Sequence, residues 1–477
     1  YKEDKREVIE MNVENVFFTE DIIRATSGML LNGDMGSSFR GISTDTRIIK
    51  PGYLFWALKG KNFDGHDFWK EAIEKGAKGL VISRFSSGFR LEDLPKTISV
   101  ILVKDTLSAL GDFAKFWRKK LNCVVVAITG SCGKTTTKEL TFEILSRFFQ
   151  TFKNLANYNN LIGVPLSILS MKEGTEVGVL ELGTNAPGEI ARLSEIVFPQ
   201  VSVITCVYPA HLEGLGSLEG ILEEKLSIFK NTDLNGKLVY FYDQEPLREK
   251  VKVFKQEKIS FGFEEGADLR AKNLELDKDK LKVEIAFKTH KKSLILPQIG
   301  KHNVLNLLAA IAVGLSLNLD LDSIAEKIEK EVPLYQRAKC YKKGRFLIID
   351  DTYNANPGSM KASLEWLRSF SDYPQKIVIL GDMLELGPES KRYHEEVGDL
   401  AKQVADQAYF IGENAKFYAA TFSPKPCEVF TTTEEFLEAL KFLRIKDLFF
   451  GNTAILVKGS RGLRLERVVE RLLEELE

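Results

Sequence analysis

The stretch CVVVAITGSCGKTTTK (123–138) decides the architecture. CVVVAIT (123–129) is a continuous apolar run, the pattern of a strand buried on both faces. Leu140, Ile144, Leu145 and Phe148 then recur at helical spacing. A buried strand, a glycine-bearing turn and a helix in that order form a loop that wraps an anion. Gly130 and Gly133 let the backbone close around a phosphate without side-chain clashes, with Ser131 between them. The helix start adds unpaired N–H groups and the positive end of its dipole. Lys134 is placed to reach terminal phosphates, and the hydroxyl of Thr135 or Thr136 can meet a magnesium ion. Ile128 stands where the longer pattern has glycine, so the loop is the short form T-G-x-x-G-K-T-T. The bland alternative is a structural turn that happens to contain lysine. Strand, glycines, lysine and threonines in register weigh against it.

Outward from this loop, VGVLELG (177–183) and VSVITCV (201–207) are further buried strands alternating with helices, which predicts a parallel sheet. Near 258–298 the texture becomes β-hairpin, as in LELDKDKLKVEI (274–285). A helix follows, with Val304, Leu308, Ile311 and Leu315 on one face. EVPLYQRAK (331–339) reads as a junction. Beyond it RFLIIDD (345–351), KIVILGD (376–382), QAYFIG (407–412) and TAILVKG (453–459) predict a second doubly wound sheet. YLFWAL (53–58) and GLVIS (79–83) mark a small module before the loop strand. The expected fold is α/β in three domains: a small N-terminal α/β module (1–120), a central P-loop parallel sheet (121–331) and a C-terminal Rossmann-like domain (332–477).

Composition narrows the function classes. Among 477 residues, 66 Lys and Arg nearly balance 67 Asp and Glu, which does not suggest a nucleic-acid binder. The five cysteines (123, 132, 206, 340 and 427) form no C-x-x-C pair or zinc spacing, so reduced thiols in a cytoplasmic protein are expected. No apolar run approaches a membrane span, and YKEDKREVIE (1–10) lacks a signal-peptide core.

Several groups downstream can carry chemistry. Glu181 ends a strand at the crevice edge and can hold magnesium, or be a solvated strand-end residue. His211, in YPAHLEGLGS (208–217), follows the next strand and is either a ligand or structural. Lys225, in EEKLSIF (223–229), is by spacing a surface lysine. Asn159 and Asn160 can line a substrate channel, although loops are commonly Asn-rich. Asn303 and Asn306 are one helical turn apart and can grip a base edge, or His302 or Asn303 can be a helix N-cap. IIDDTYNANPGSM (348–360) brings Asp351 and Tyr353 to a strand end, where a carboxylate can accept from ribose hydroxyls; an ordinary turn is the alternative. Lys458, Ser460 and Arg461 can clamp a carboxylate or phosphate, or lie in a solvated loop.

The order T-G-x-x-G-K-T-T, E-L-G, A-H-L-E-G, H-N-x-x-N, D-D-T-Y-N-A-N-P resembles the Mur ligase family over nearly the whole chain. ISTDTRIIKPGYLFWALKGKNFDGHDF (42–68) is similar to the UDP-sugar-binding module of the branch that adds D-alanyl-D-alanine. GDMLELG (381–387) and VKGSR (457–461) resemble that branch's C-terminal signatures.

The resemblance implies an ATP-dependent, ADP-forming ligase of peptidoglycan precursor synthesis. It would join D-alanyl-D-alanine to UDP-N-acetylmuramoyl-tripeptide through an acyl phosphate. It further implies that Lys134 and Thr135 hold ATP phosphates and magnesium. Glu181 and His211 would ligate magnesium, and Lys225 would be carbamylated. Asn303 and Asn306 would face adenine. Arg337 and Asp351 would reach ribose and phosphates, and Ser43, Thr44, Asp64, Gly65 and His66 would lie near the uridine or sugar. A cytoplasmic monomer is expected. The alternatives are a sibling ligase adding the third amino acid, a folylpolyglutamate synthase, or a nucleotide-gated binding protein that ligates nothing.

Overall fold

The computed structural model describes residues 13–60, 62–155, 158–277, 280–297, 300–331, 338–440 and 451–476. The junction read at EVPLYQRAK falls mostly on 332–337, outside these residues, as do Arg337 and the opening decapeptide. The described residues form sheets of nine, six and five strands and a two-stranded ribbon.

The nine-stranded sheet positions the site. Val124–Thr129 lies between Val177–Glu181 on one side and Val201–Ile204 on the other, all parallel. The chain leaves Val124–Thr129 for the edge strand Thr151–Lys153, returns through Val177–Glu181, and only then crosses to Val201–Ile204. Strand order therefore reverses around the loop strand, which opens a crevice at the carboxyl ends of these strands. The register sets Glu181 beside Ile128 and Ile204 beside Thr129, so the segments that follow all emerge at one rim. Leu269–Asp277, Lys280–Phe287 and His290–Pro297 extend the far edge as an antiparallel meander, as the alternating pattern predicts.

The helix Lys301–Ser316 buries the expected face of Val304, Leu308, Ile311 and Leu315 and more besides. It is buried on nearly every side from Val304 to Ser316, because the sheet, the loop helix Lys134–Leu145 and the helices Leu321–Lys330 and Pro357–Arg368 all pack on it. Its N-cap is Gly300, not His302 or Asn303, which both sit in the first turn.

The six-stranded sheet runs Lys339–Lys343, Phe346–Asp351, Thr453–Lys458, Gln375–Gly381, Gln407–Ile411, Cys427–Phe430, and only its first pair is antiparallel. Asp351 and Lys458 lie opposite each other at the ends of neighbouring strands. The five-stranded N-terminal sheet is parallel except at the edge strand Met29–Asn32. Among the described residues no helix is long and apolar enough to cross a membrane.

Candidate active site

The phosphate loop forms as its glycines require. Gly130 has φ +148° and Gly133 φ +78°, conformations that side-chain-bearing residues rarely adopt. Gly133 caps the helix Lys134–Leu145 with no side chain of its own. A Cβ at Gly133 would lie 2.2 Å from Asn306 Oδ1, and one at Gly130 would lie 2.0 Å from Thr205 Oγ1. Both strain and contact therefore oppose substitution. Gly133→Ala is expected to cost about 1–3 kcal/mol of stability and to weaken ATP binding about tenfold. Urea unfolding and nucleotide titration of the variant check this, and wild-type values in both would contradict it.

Around the loop, most polar side chains are already engaged. Lys134 Nζ donates to the Gly130 carbonyl at 2.8 Å, so the ammonium lies folded over the loop. Ser131 Oγ donates to the Tyr208 carbonyl at 2.7 Å and accepts from the Tyr208 N–H at 2.9 Å, tying the loop to the segment after Val201–Ile204. Thr135 Oγ1 donates to Glu181 Oε2 at 2.8 Å, and Asn159 Nδ2 donates to Glu181 Oε1 at 2.9 Å. Glu181 is only 2% exposed, so it is no solvated strand-end residue. Asn160 Oδ1 accepts from the N–H groups of Ile162 and Gly163 and starts the next helix. Thr136 is buried and lines the cleft.

Asn303 and Asn306 turn toward the loop. Asn306 Oδ1 accepts from Thr137 Oγ1 at 3.3 Å, and its amide donates to Asn303 Oδ1 at 3.2 Å. The pair therefore braces Gly133 and the loop helix as well as lining the cleft. His302, read from sequence only as a cap, also lines it and packs edge-on to Trp366. Burial pushes its imidazole down from 6.5 to about 4. The unfolded chain thus binds a proton that the folded chain excludes. The His302 contribution to stability is full above pH 6.5 and is lost as pH falls toward 4, by about 2 kcal/mol after discounting for partial exposure. Unfolding free energies measured across this range should show that slope, and His302→Gln should flatten it.

The opposite wall comes from the six-stranded sheet. Lys458 Nζ donates to Asp351 Oδ2 at 2.6 Å and to the Asn354 carbonyl at 3.0 Å. Ser363 Oγ donates to the same Asp351 oxygen at 2.6 Å. Ser460 Oγ accepts from the Leu384 N–H at 2.9 Å, and the Arg461 guanidinium lies over the Tyr353 ring at 5.5 Å. His211, in the left-handed conformation at φ +55°, pairs through Nδ1 with Glu385 of GDMLELG. Cys132 donates through Sγ to Asn356 Oδ1 at 3.1 Å. The two walls therefore enclose one cleft of about 480 Å³, lined by residues of both.

Not every sequence-predicted residue lines this cleft. Gly130 shapes the loop beneath it. Lys225 is 2% exposed on the helix Leu218–Lys230, which corrects its reading as a surface lysine. Burial first, and then repulsion from Lys134, pushes its ammonium down to about 7. Ser43, Thr44, Asp64, Gly65 and His66 lie with the N-terminal sheet, away from the cleft lining. There Ser43 Oγ donates to the Asp45 carbonyl, and Asp64 caps the short turn of Gly65–Phe68. The Ser83 N–H donates to His66 Nε2 at 3.0 Å, so Nδ1 holds the proton given to Asp64. Sequence reasoning missed the positions of Cys132, Cys206, Glu385 and Asn356 on the cleft. All four lie inside stretches already singled out.

The donor set suits a hard cation. A hydroxyl and a carboxylate oxygen, Thr135 and Glu181, sit side by side at the phosphate loop, as magnesium requires. Among the described residues no three His, Cys, Asp or Glu gather as a closed metal site, so phosphate and water oxygens would complete the shell. An anion-wrapping loop, this oxygen pair and a facing Lys–Asp–Arg wall define a nucleotide-dependent ligase cleft.

Family models match in the same order: Mur ligase family, catalytic domain, over residues 38–118; Mur ligase middle domain over 128–314; and Mur ligase, glutamate ligase domain, over 336–461. The chain belongs to the Mur ligase family. It is 34% identical to the UDP-N-acetylmuramoyl-tripeptide–D-alanyl-D-alanine ligase of Bacillus subtilis, over 95% of this chain and 98% of that protein. A crystal structure of MurF from Acinetobacter baumannii superposes with a TM-score of 0.87 at 32% identity, covering 97% of this chain and 99% of the other. The MurF ligase of Thermotoga maritima in complex with ADP gives a TM-score of 0.80 at 31% identity, covering 91% and 97%.

Proposed function

We propose that this protein joins D-alanyl-D-alanine to the terminal carboxylate of UDP-N-acetylmuramoyl-tripeptide. ATP is converted to ADP and phosphate, and the product is the pentapeptide precursor of peptidoglycan. The observation that carries this reading is the single cleft in which the phosphate loop and the Thr135–Glu181 pair face Lys458, Asp351 and Arg461. In this proposal residues 1–120 bind the UDP-sugar end, with Ser43, Thr44, Asp64, Gly65 and His66 nearest to it. Residues 121–331 bind ATP, and residues 332–477 supply the facing wall. The enzyme acts in the cytoplasm as a monomer.

The mechanism follows from charge. A carboxylate acylates nothing at neutral pH, so it must first gain a leaving group. The tripeptide carboxylate attacks the γ-phosphorus of ATP, and ADP departs. The dipeptide amine then attacks the acyl phosphate carbon, and phosphate leaves. Gly130, Ser131, Gly133 and Thr136 shape the loop that cradles the phosphates. Lys134 leaves the Gly130 carbonyl to neutralise the transferring group. Thr135, Glu181, His211 and a carbamylated Lys225 would hold magnesium, which supplies positive charge to the phosphoryl oxygens. The lowered ammonium value of Lys225 supports carbamylation, because only the neutral amine adds to carbon dioxide. Asn303 and Asn306 lie on the adenine side, and Arg337, Asp351 and Tyr353 serve the ribose and phosphates. Asn159, Asn160, Lys458, Ser460 and Arg461 orient the acceptor and the incoming dipeptide. Enclosure between two walls keeps water from the acyl phosphate.

The test is phosphate release from ATP, magnesium and UDP-N-acetylmuramoyl-tripeptide with and without D-alanyl-D-alanine, with mass spectrometry of the product. Dipeptide-dependent release and the pentapeptide mass are expected. Release with single amino acids on shorter UDP-muramoyl peptides, or with glutamate on folates, would replace this substrate assignment.

A further inference from the structure

The phosphate loop holds a second pair of reactive groups that ligation does not use. Cys132 stands between Ser131 and Gly133, and Cys206 follows the strand Val201–Ile204 that borders the loop strand. Their backbones are laced together, because the Ser131 N–H donates to the Cys206 carbonyl at 2.9 Å and Thr205 Oγ1 donates to the Cys132 carbonyl. Cys206 Sγ accepts from the Cys132 N–H at 3.3 Å and lies 3.4 Å from the Cys132 carbonyl oxygen. Both thiols line the cleft. Cys206 Sγ therefore packs directly against the Cys132 peptide, and a disulfide requires the two sulfurs to approach to about 2.05 Å. The cleft also gives small solutes a path to the pair.

We propose that Cys132 and Cys206 are a peroxide-sensitive thiol pair whose disulfide closes the phosphate loop to ATP. The environment divides their roles. Interaction with Cys206 holds the Cys132 thiol below its ordinary value, while the same interaction and burial push Cys206 well above. Cys132 is therefore the attacking sulfur. Its thiolate attacks one peroxide oxygen, an S–O bond forms, the O–O bond breaks, and hydroxide takes up a proton as water. Cys206 then attacks the sulfenic sulfur. The S–S bond forms, the S–O bond breaks, and hydroxide leaves with the Cys206 proton as a second water. The pair loses two electrons and the peroxide gains them.

Closure of the loop follows from two contacts. Forming the bond draws Cys132 Sγ away from Asn356, which caps the helix Pro357–Arg368, and so breaks a link between the two walls. It also pins the turn from Gly130 to Gly133, from which Lys134 must swing free to meet phosphates. The inference rests on the cleft being the ATP site.

The experiment treats the full-length protein with hydrogen peroxide, with and without ATP. It then maps non-reduced peptides by mass spectrometry and titrates ATP before treatment, after it, and after dithiothreitol. Expected are a linked Cys132–Cys206 peptide lighter by two hydrogens and protection by ATP. Turnover should fall on the order of a hundredfold, the scale of displacing reacting groups by about 1 Å, and dithiothreitol should restore it. Cys206→Ser and Cys132→Ser, each compared with its own untreated rate, should lose the dithiothreitol-reversible component. No linked peptide under conditions that oxidise the exposed Cys340, or a linked peptide with unchanged ATP binding, would overturn the inference. Untreated protein that fails to bind ATP removes the nucleotide reading itself. Untreated protein that binds ATP, while oxidation changes nothing, removes only the thiol pair.

Discussion

Lys134→Ala should lower dipeptide-dependent phosphate release by about a thousandfold, the upper range for removing one aimed donor from developing charge. The reason is positional. Lys134 is the first residue of the loop helix, and its ammonium already sits over the turn, 2.8 Å from the Gly130 carbonyl. When phosphate enters, the ammonium exchanges a neutral acceptor for an anionic one at little cost in chain rearrangement. Alanine keeps the backbone N–H groups and the helix dipole, so nucleotide is still recognised but the transferring group is left with less neutralising charge. The folded state loses one lysine–carbonyl hydrogen bond, worth about 1 kcal/mol. Rate should therefore collapse while the melting temperature barely moves. The measurement is ADP formation alongside thermal unfolding. A variant that keeps a tenth of wild-type turnover would show that Lys134 does not act on the transferring phosphate.

Glu181→Gln should have the second-largest effect, and it separates charge from shape. The carboxylate is nearly buried and is held by the Thr135 hydroxyl and the Asn159 amide. Glutamine fills the same volume, and the Thr135 hydroxyl can still find an oxygen. The negative charge is lost, and one position that accepted from Asn159 or faced a cation becomes an N–H donor. Magnesium half-saturation should rise about tenfold and turnover should fall about a hundredfold, because the ion loses a charged oxygen and its register against the phosphates. Stability should hold or improve, since a buried charge has been removed. Titrating activity with magnesium distinguishes the outcomes. An unchanged magnesium midpoint with reduced turnover would mean that Glu181 only positions Thr135.

By itself the sequence determined the buried strands, the phosphate loop and the class of chemistry. These are local properties. A continuous apolar run such as CVVVAIT can be satisfied only inside a sheet, and T-G-x-x-G-K-T-T bends where its glycines stand, at φ +148° and +78°. The parallel order of strands around it, and a second doubly wound sheet after residue 338, were readable for the same reason. Tertiary structure alone decided which polar groups meet. Lys225 looks solvated within EEKLSIF, yet it is 2% exposed, because desolvation sums over neighbours from several elements and leaves no mark on local spacing. His211 meets Glu385 across 174 positions, and Asp351 meets Lys458 across 107, because strand order and left-handed turns bring them to one rim. Asn306, legible only as a possible base contact, reaches Gly133 and Thr137 from 169 positions beyond the latter. Periodicity reports which face of an element is apolar. It does not report which element will cover that face, and in this protein that covering lowers the proton affinity of Lys225 and His302 and builds the two walls of the cleft.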